Sequence, residues 1–461
     1  MSRRIVTALV GSLALLAPLT ACSSGGPATT QPAPGASSAP ATTASGDCAQ
    51  FSQFGDLTGK KVSVYAVFID TEGEQYQESF KPFEDCTGAT VQYEGSRDFE
   101  AQLPVRVAAG ALPDIAIFPQ PGLLKTTAGS GKLMAAPKSV QDNVDKYWSE
   151  SWKNYGTVDG TFYAAPLGAS AKSFVWYSPT MFADAGLTVP TTWDELMTLT
   201  DKIATSGDVK PWCAGIESGT ATGWPATDWV EDMVLRFAGG DTYDKWVAHE
   251  IPFNDPAILS ALQEMSKILR NDKYVNAGIG NVQSIATEPW TDAGYPIVDG
   301  DCYLHRAASF YQTNWTTLDP NIKVGPDGDV WAFPLPGKTA DSKPVIGGGD
   351  FVGAFADRPE VQAFQTYLSS PEWANAKAKA TPQGWVTANN GLDKSLLQSP
   401  MDQLAFGLLS DPGVEFRFDG SDLMPSEVGA GSFWKEMTNY FAQGKSEKAV
   451  LDAIESSWPK K

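Results

Sequence analysis

The reactive side chains of this sequence are few and poorly spaced for catalysis. Its two histidines, His249 and His305, lie in no H-E-x-x-H pattern, and no G-x-S-x-G elbow occurs. The run "AGSGKL" imitates a phosphate loop but lacks the earlier glycine and a Ser or Thr after Lys132. "DTEGE" misses the oxygen spacing of a calcium loop. The 54 acidic residues leave paired carboxylates for glycan hydrolysis open as an alternative. The chain is rich instead in tryptophan, with 15, some set beside carboxylates as in "GWPATDWVED". Rings and carboxylates within one turn are chemistry for holding a ligand. No catalytic residue, metal or cofactor is expected.

Such side chains need a scaffold. "KVSVYAVF", "ATVQYEGS" and "DIAIF" read as strands, separated by the helical stretches "EQYQESFKPFEDCTG" and "FEAQLPVRVAAGALP". Pro104 is expected in the first turn of the second helix, or to kink it. Alternation of this kind builds a largely parallel α/β sheet, with ligands beyond the carboxyl ends of the strands. That places 68–74, 95–97 and 118–120 at one mouth. Further on, Thr192 and Glu195 have capping-box spacing, and Asp255-Pro256 suits a helix start. "RPEVQAFQTYLSSPEWANAKAKA" reads as two helices split at "SSPE", and Gly444 separates the last two. Of the five cysteines, Cys48, Cys86, Cys213 and Cys302 show no C-x-x-C spacing, which disfavours a metal site. In an exported chain they suggest disulfides. Three pairings are open; Cys48–Cys86 and Cys213–Cys302 are preferred because each lies within one plausible lobe.

Export is written at the start. Arg3 and Arg4 precede an apolar run broken by Gly11 and Pro18, which reads as a signal peptide over 1–21. Leu19-Thr20-Ala21-Cys22 resembles the bacterial lipobox, so Cys22 is the expected lipid attachment point. Residues 23–47 are nearly all Ser, Gly, Pro, Ala and Thr and read as a linker, which fully extended at about 3.1 Å per residue would reach roughly 80 Å. A net charge of −20 argues against nucleic acid or an anionic lipid surface as partner. Membrane contact is expected through the anchor alone.

Four stretches in order, "LPDIAIFPQPGLL", "GTFYAAPLGASAKSFVWYSPTMFADAGLTVPTTWDELMTLTDKI", "PVIGGGDFVGAF" and "FQTYLSSPEWAN", resemble the family 1 extracellular solute-binding proteins, receptors of carbohydrate ABC importers. Tyr177-Ser178 stands where that family has Tyr-Asn. "CAGIESGTATGWPATDWVEDMVL" and "FRFDGSDLMPSEVGAGSFWKEM" are similar to α-glucoside receptors of the AglE type. The resemblance implies a two-lobed α/β fold of the type II periplasmic-binding-protein class, with lobes joined by a hinge of crossing strands near 166–172 and 343–349. It also implies a monomer that delivers maltose, sucrose, trehalose or a related sugar to permease subunits and, through them, an ATPase. The expected divisions are 1–21 signal peptide, 22–55 anchored linker, 56–168 with 344–372 first lobe, and 169–343 with 373–461 second lobe. A receptor for a non-sugar solute is the other alternative.

A sugar offers hydroxyls at its rim and C–H groups on its faces, which call for carboxylates, amides and rings. Trp148, Trp152, Trp193 and Trp373 sit at helical positions and read as packing residues. Trp224, Trp229 and Trp385 lie beside Gly, Pro and Thr and are expected to meet ligand. Asp228 joins them, unless it caps a helix, and Glu217 is expected to reach the same space. In "GGGDF", Gly349 is expected to let backbone approach ligand and Asp350 to accept hydroxyls, against a plain hinge bend. In the first lobe the candidates are Glu72, Arg97 and Gln120; Arg97 has a local ion pair as its alternative. "FRFDGSD" offers Arg417, Asp419 and Asp422, with Arg417 and Asp422 expected at the cleft.

Overall fold

The computed structural model describes residues 46–207 and 209–460. The signal segment, Cys22 and most of the spacer lie outside them. Among the described residues, no helix is long and apolar enough to cross a membrane.

The first lobe follows the β-α-β-α-β alternation. Strand β1 (Lys61–Ala66) pairs in parallel with β2 (Thr90–Gly95) and β3 (Ile115–Phe118). Helices α1 (Asp70–Thr87), α2 (Phe99–Ala109) and α3 (Pro121–Gly129) follow the three strands. Gly88 closes α1 in the left-handed conformation that L side chains resist. Pro104 lies in the middle of α2, not in its first turn, because the helix already starts at Phe99.

The chain then leaves along β4 (Ala164–Ala171) into a second sheet. Its strands are β5 (Phe174–Tyr177), β6 (Lys210–Cys213), β7 (Val275–Asn276), β8 (Cys302–Arg306) and β9 (Trp331–Pro334), in the order β9-β5-β8-β6-β7. Helices α4 (Trp193–Ser206), α5 (Trp224–Ala238) and α6 (Pro256–Leu269) pack on it. The Thr192 hydroxyl caps α4 through Glu195 N–H, and Asp255 caps α6 through Ala257 N–H. Each cap satisfies a donor that the helix start would leave bare.

Strand β10 (Pro344–Ala354) brings the chain back. Ile346 packs in the second core, whereas Phe351 and Val352 pack in the first. It runs antiparallel to β4, with a register shift between Gly349 and Phe351. Helices α7 (Pro359–Leu368) and α8 (Pro371–Ala380) follow, split at Ser370 as the sequence predicts. Strand β11 (Glu415–Phe418) lies parallel to the start of β10 and makes a third crossing into the second lobe. There α9 (Trp434–Ala442) and α10 (Glu447–Ser457) end the chain.

Two expected boundaries move. Trp373 does not open the second-lobe portion: its indole N–H donates to Ser79 Oγ of α1 at 3.0 Å, so α8 belongs to the first lobe. The folded body also starts before residue 56. A 3₁₀ segment, Gly46–Phe54, buries Phe51 edge-on against Phe83 of α1 and is stapled there by Cys48–Cys86. Cys213–Cys302 joins β6 to β8, so both preferred pairings are the ones formed.

Candidate functional site

The three crossings meet one helix. Lys172, just past β4, pairs with Asp228 of α5 at 3.3 Å and with Asp419. Ser173 Oγ donates to Asp232 at 2.6 Å and accepts from Ile346 N–H at 2.9 Å. Arg236 donates to the Pro344 carbonyl at 3.0 Å, and Glu231 accepts from the Gly420 and Ser421 amides beyond β11. Arg306 of β8 binds Asp228 and Asp232 at 2.9 and 2.6 Å. Burial works against the Lys172 charge, yet Asp228, Asp419 and Asp422 hold its ammonium above the usual range.

In front of this helix the lobes enclose a cavity of about 230 Å³. Glu100, Gln120 and Leu123 line it from the first lobe; Thr220, Asp422 and Trp434 line it from the opposite side. Gln120 Nε2 donates to Glu100 Oε1 at 3.3 Å, but Gln120 Oε1 is buried without a partner. The Trp434 indole N–H is likewise buried and unpaired. Native proteins seldom leave such groups unmet. Burial raises the carboxyls of Glu100 and Asp422.

An aromatic wall stands near Lys172. Trp224, the first residue of α5, meets Trp290 edge-on at 5.1 Å and Phe310 at 6.2 Å, and all three rings are half-buried. Lys172 Nζ lies 5.6 Å from the Trp224 ring. Gly223 is in left-handed territory at φ 114°, and a Cβ there would fall 2.2 Å from the Trp434 carbonyl oxygen. Glycine is thus what lets the start of α5 approach the Trp434 backbone.

The first lobe adds a polar group around Asp350. Tyr76 Oη donates to Asp350 Oδ2 at 3.4 Å. Burial, then the Glu72 charge, pushes the Asp350 carboxyl up to about 7. The Lys377 ammonium pulls the Glu72 and Asp350 carboxyls the other way. Trp385 stands edge-on to Trp373 at 5.7 Å with its indole N–H unpaired. That nitrogen and Asp350 Oδ2 both face Gly168, where a Cβ would lie 3.1 and 2.9 Å from them.

The match of residues 70–375 to the model of the bacterial extracellular solute-binding proteins accounts for this layout. The chain belongs to that family. It is 37% identical over 410 residues to the osmoprotective compounds-binding protein GgtB of Synechocystis sp., covering 88% of this chain and 94% of that one. It is also 37% identical over 424 residues to the alpha-glucosides-binding periplasmic protein AglE of Rhizobium meliloti, covering 89% of each. Among solved structures, the solute receptor AcbH superposes with TM-score 0.73 at 16% identity, over 86% of this chain and 98% of that one. Maltose-bound MalE3 of T. maritima superposes with TM-score 0.65 at 17% identity, over the same shares. These distant likenesses support the two-lobed fold.

Within this solute-binding protein the expected contacts divide. Gln120 and Asp422 line the cavity, Trp224 stands in the aromatic wall, and Asp350 and Trp385 face Gly168, with the Glu72 charge acting on Asp350. The others are placed elsewhere. Trp229 is buried edge-on against Trp212 at 5.4 Å, in the second core. Asp228 is fully buried in the hinge pairs, with no face left for ligand. Gly349 is small because a Cβ would strike the Gly168 carbonyl at 2.6 Å and the Trp152 ring at 2.7 Å, a packing need of the crossing strands. Arg97 is exposed and pairs with Asp70 at 3.4 Å, the local alternative. Glu217 folds back onto the Gly219 amide at 2.7 Å and shapes the loop that carries Thr220. Arg417 pairs with Asp244 at 2.7 Å and lines a separate cavity with Tyr155, Tyr243 and Trp458.

Sequence reasoning missed Lys172, Trp290, Phe310, Trp434 and Lys377. The signal for Trp434 was available: it follows a glycine-rich stretch within a block already singled out. Trp290 and Phe310 lie in irregular segments whose approach to Trp224 no local pattern announces.

Proposed function

We propose that this protein is the receptor of an ABC importer for a small neutral α-glucoside, of monosaccharide to disaccharide size, anchored by lipid at Cys22. The observation that carries the reading is the pair of buried, unpartnered groups on one interlobe cavity, the acceptor Gln120 Oε1 and the donor Trp434 Nε1. The hydroxyls of a sugar suit both, because each hydroxyl donates and accepts. The half-buried Trp224, Trp290 and Phe310 suit the C–H face of a pyranose. A cavity of about 230 Å³ is smaller than the roughly 300–1,000 Å³ of most small-molecule sites, which favours one or two rings over a longer chain. Similarity to AglE and GgtB over most of the chain supports an α-glucoside or an osmoprotective compound.

A cationic solute is disfavoured by the protein's own Lys172. It stands beside the Trp224 ring and neutralises the carboxylates a cation would seek. Titration calorimetry of the soluble chain against maltose, sucrose, trehalose, glucosylglycerol, glycine betaine and spermidine tests the proposal. Saturable binding of at least one glucoside, with no hydrolysis of maltooligosaccharides, is expected. Binding confined to betaine or spermidine, or sugar release from the oligosaccharides, overturns it.

A further inference from the structure

One buried carboxylate ties together the segments that carry two aromatic rings, Phe310 and Trp385. Asp402 lies on the helix Pro400–Ser410 and is 2% exposed. Its Oδ1 accepts from Gln312 Nε2 at 2.6 Å. Both of its oxygens accept from the Gly384 amide, at 3.2 and 3.1 Å. Gln312 is held in turn, since its Oε1 accepts from Ser399 Oγ at 2.5 Å and its Nε2 also donates to the Ser309 carbonyl at 3.3 Å. A parallel tie runs from Gln383 Nε2 to Thr316 Oγ1 at 2.8 Å.

The positions of these partners give the set its meaning. Gly384 immediately precedes Trp385, and Gln312 stands two residues after Phe310. Trp385 faces Gly168 beside Asp350; Phe310 belongs to the wall with Trp224 and Trp290. The groups bonded to Asp402 are neutral, so no cation offsets its charge, and burial drives its carboxyl up to about 7. A neutral side chain of the same size would fill the volume with a smaller desolvation cost. What it would not do is accept from both segments with charge-assisted strength.

We propose that Asp402 is a positioning residue for ligand recognition: its carboxylate fixes the Trp385 and Phe310 segments against each other, so that one buried group sets the rings of both segments. The proposal rests on the reading that these rings meet the ligand. It predicts coupled behaviour of two stretches whose bonded residues, Gln312 and Gly384, are 72 positions apart in sequence.

The test is Asp402→Asn, which keeps the volume and loses one acceptor, with Ser399→Ala as the milder variant should Asp402→Asn fail to fold. Hydrogen exchange of the unliganded protein is read first, and it needs no knowledge of the ligand. Peptides covering 309–316 and 383–388 are expected to exchange faster together in the variant. Acceleration of one stretch alone, or of neither, overturns the proposal. Affinity for whichever glucoside binds wild type is read second, in a cycle with Trp385→Phe. A loss of about tenfold from Asp402→Asn in the wild-type background, shrinking to less than about threefold when Trp385 is already replaced, is expected. An equal loss in both backgrounds shows a merely structural role and overturns the proposal. Wild type that binds no glucoside sinks the functional reading alone, because the exchange data still decide the role of Asp402.

Discussion

At the scale of single residues, the two orphaned groups of the cavity make the sharpest prediction. Trp434→Phe keeps an aromatic ring and removes the indole donor. Affinity for the bound glucoside is expected to fall about 5–10-fold in calorimetry, the worth of one hydrogen bond of about 1–1.5 kcal/mol. An unchanged affinity would show that the donor faces no ligand oxygen. Asp350 supplies a prediction of opposite sign for stability. Its carboxyl stands near 7 in the folded chain, against 3.8 as the reference for an unperturbed aspartate. The folded state therefore binds the proton more tightly, and stability from this group is fully present below about pH 4 and lost as pH rises toward 7. Asp350→Asn escapes that loss. The variant is expected to melt above wild type at pH 8 and level with it near pH 4, while binding sugar more weakly. A melting temperature below wild type at pH 8 refutes the assignment.

At the scale of elements, α5 is where hinge and site meet. Its first residue is the cleft ring Trp224, and its next turns hold all three crossing strands through Asp228, Glu231, Asp232 and Arg236. The glycine in front of it is thus a point of failure. Gly223→Ala is expected to destabilise the fold by more than about 1 kcal/mol in urea titration and to abolish binding, because the backbone must take φ 114° and the new methyl meets the Trp434 carbonyl. Stability and affinity both within error of wild type would contradict this. The strands and helices of the first lobe were legible in the sequence, since their periods, caps and glycine stops are local. The start of α5 was legible as a dense patch of rings and acids, but the direction of each side chain was not. Trp224 and Trp229 look alike in "GWPATDW", yet five positions around the helix turn one to the cleft and the other into the core. Asp228 read as a ligand contact for the same reason: its partners Lys172, Arg306 and Asp419 come from three distant elements.

At the scale of the whole molecule, the two-lobed plan could be read from the ordered blocks of the sequence, and the lobe edges could not. The chain crosses three times, and the third crossing at β11 is four residues long. Nothing in "EFRF" distinguishes a bridge between lobes from an edge strand. The anchor makes a prediction on this scale. Cys22→Ala is expected to shift the protein from the membrane fraction to the soluble fraction, with calorimetric sugar affinity unchanged; retention in the membrane fraction contradicts attachment at that cysteine. The staple at Cys48–Cys86 bears on how such an attachment would act mechanically. A pull arriving along the chain enters the folded body at the Gly46–Phe54 collar and passes through a covalent bond into α1, the helix that carries Glu72. Tension therefore bypasses the crossing strands. An attachment at Cys22 would load α1 of the first lobe and not the strands that join the two lobes.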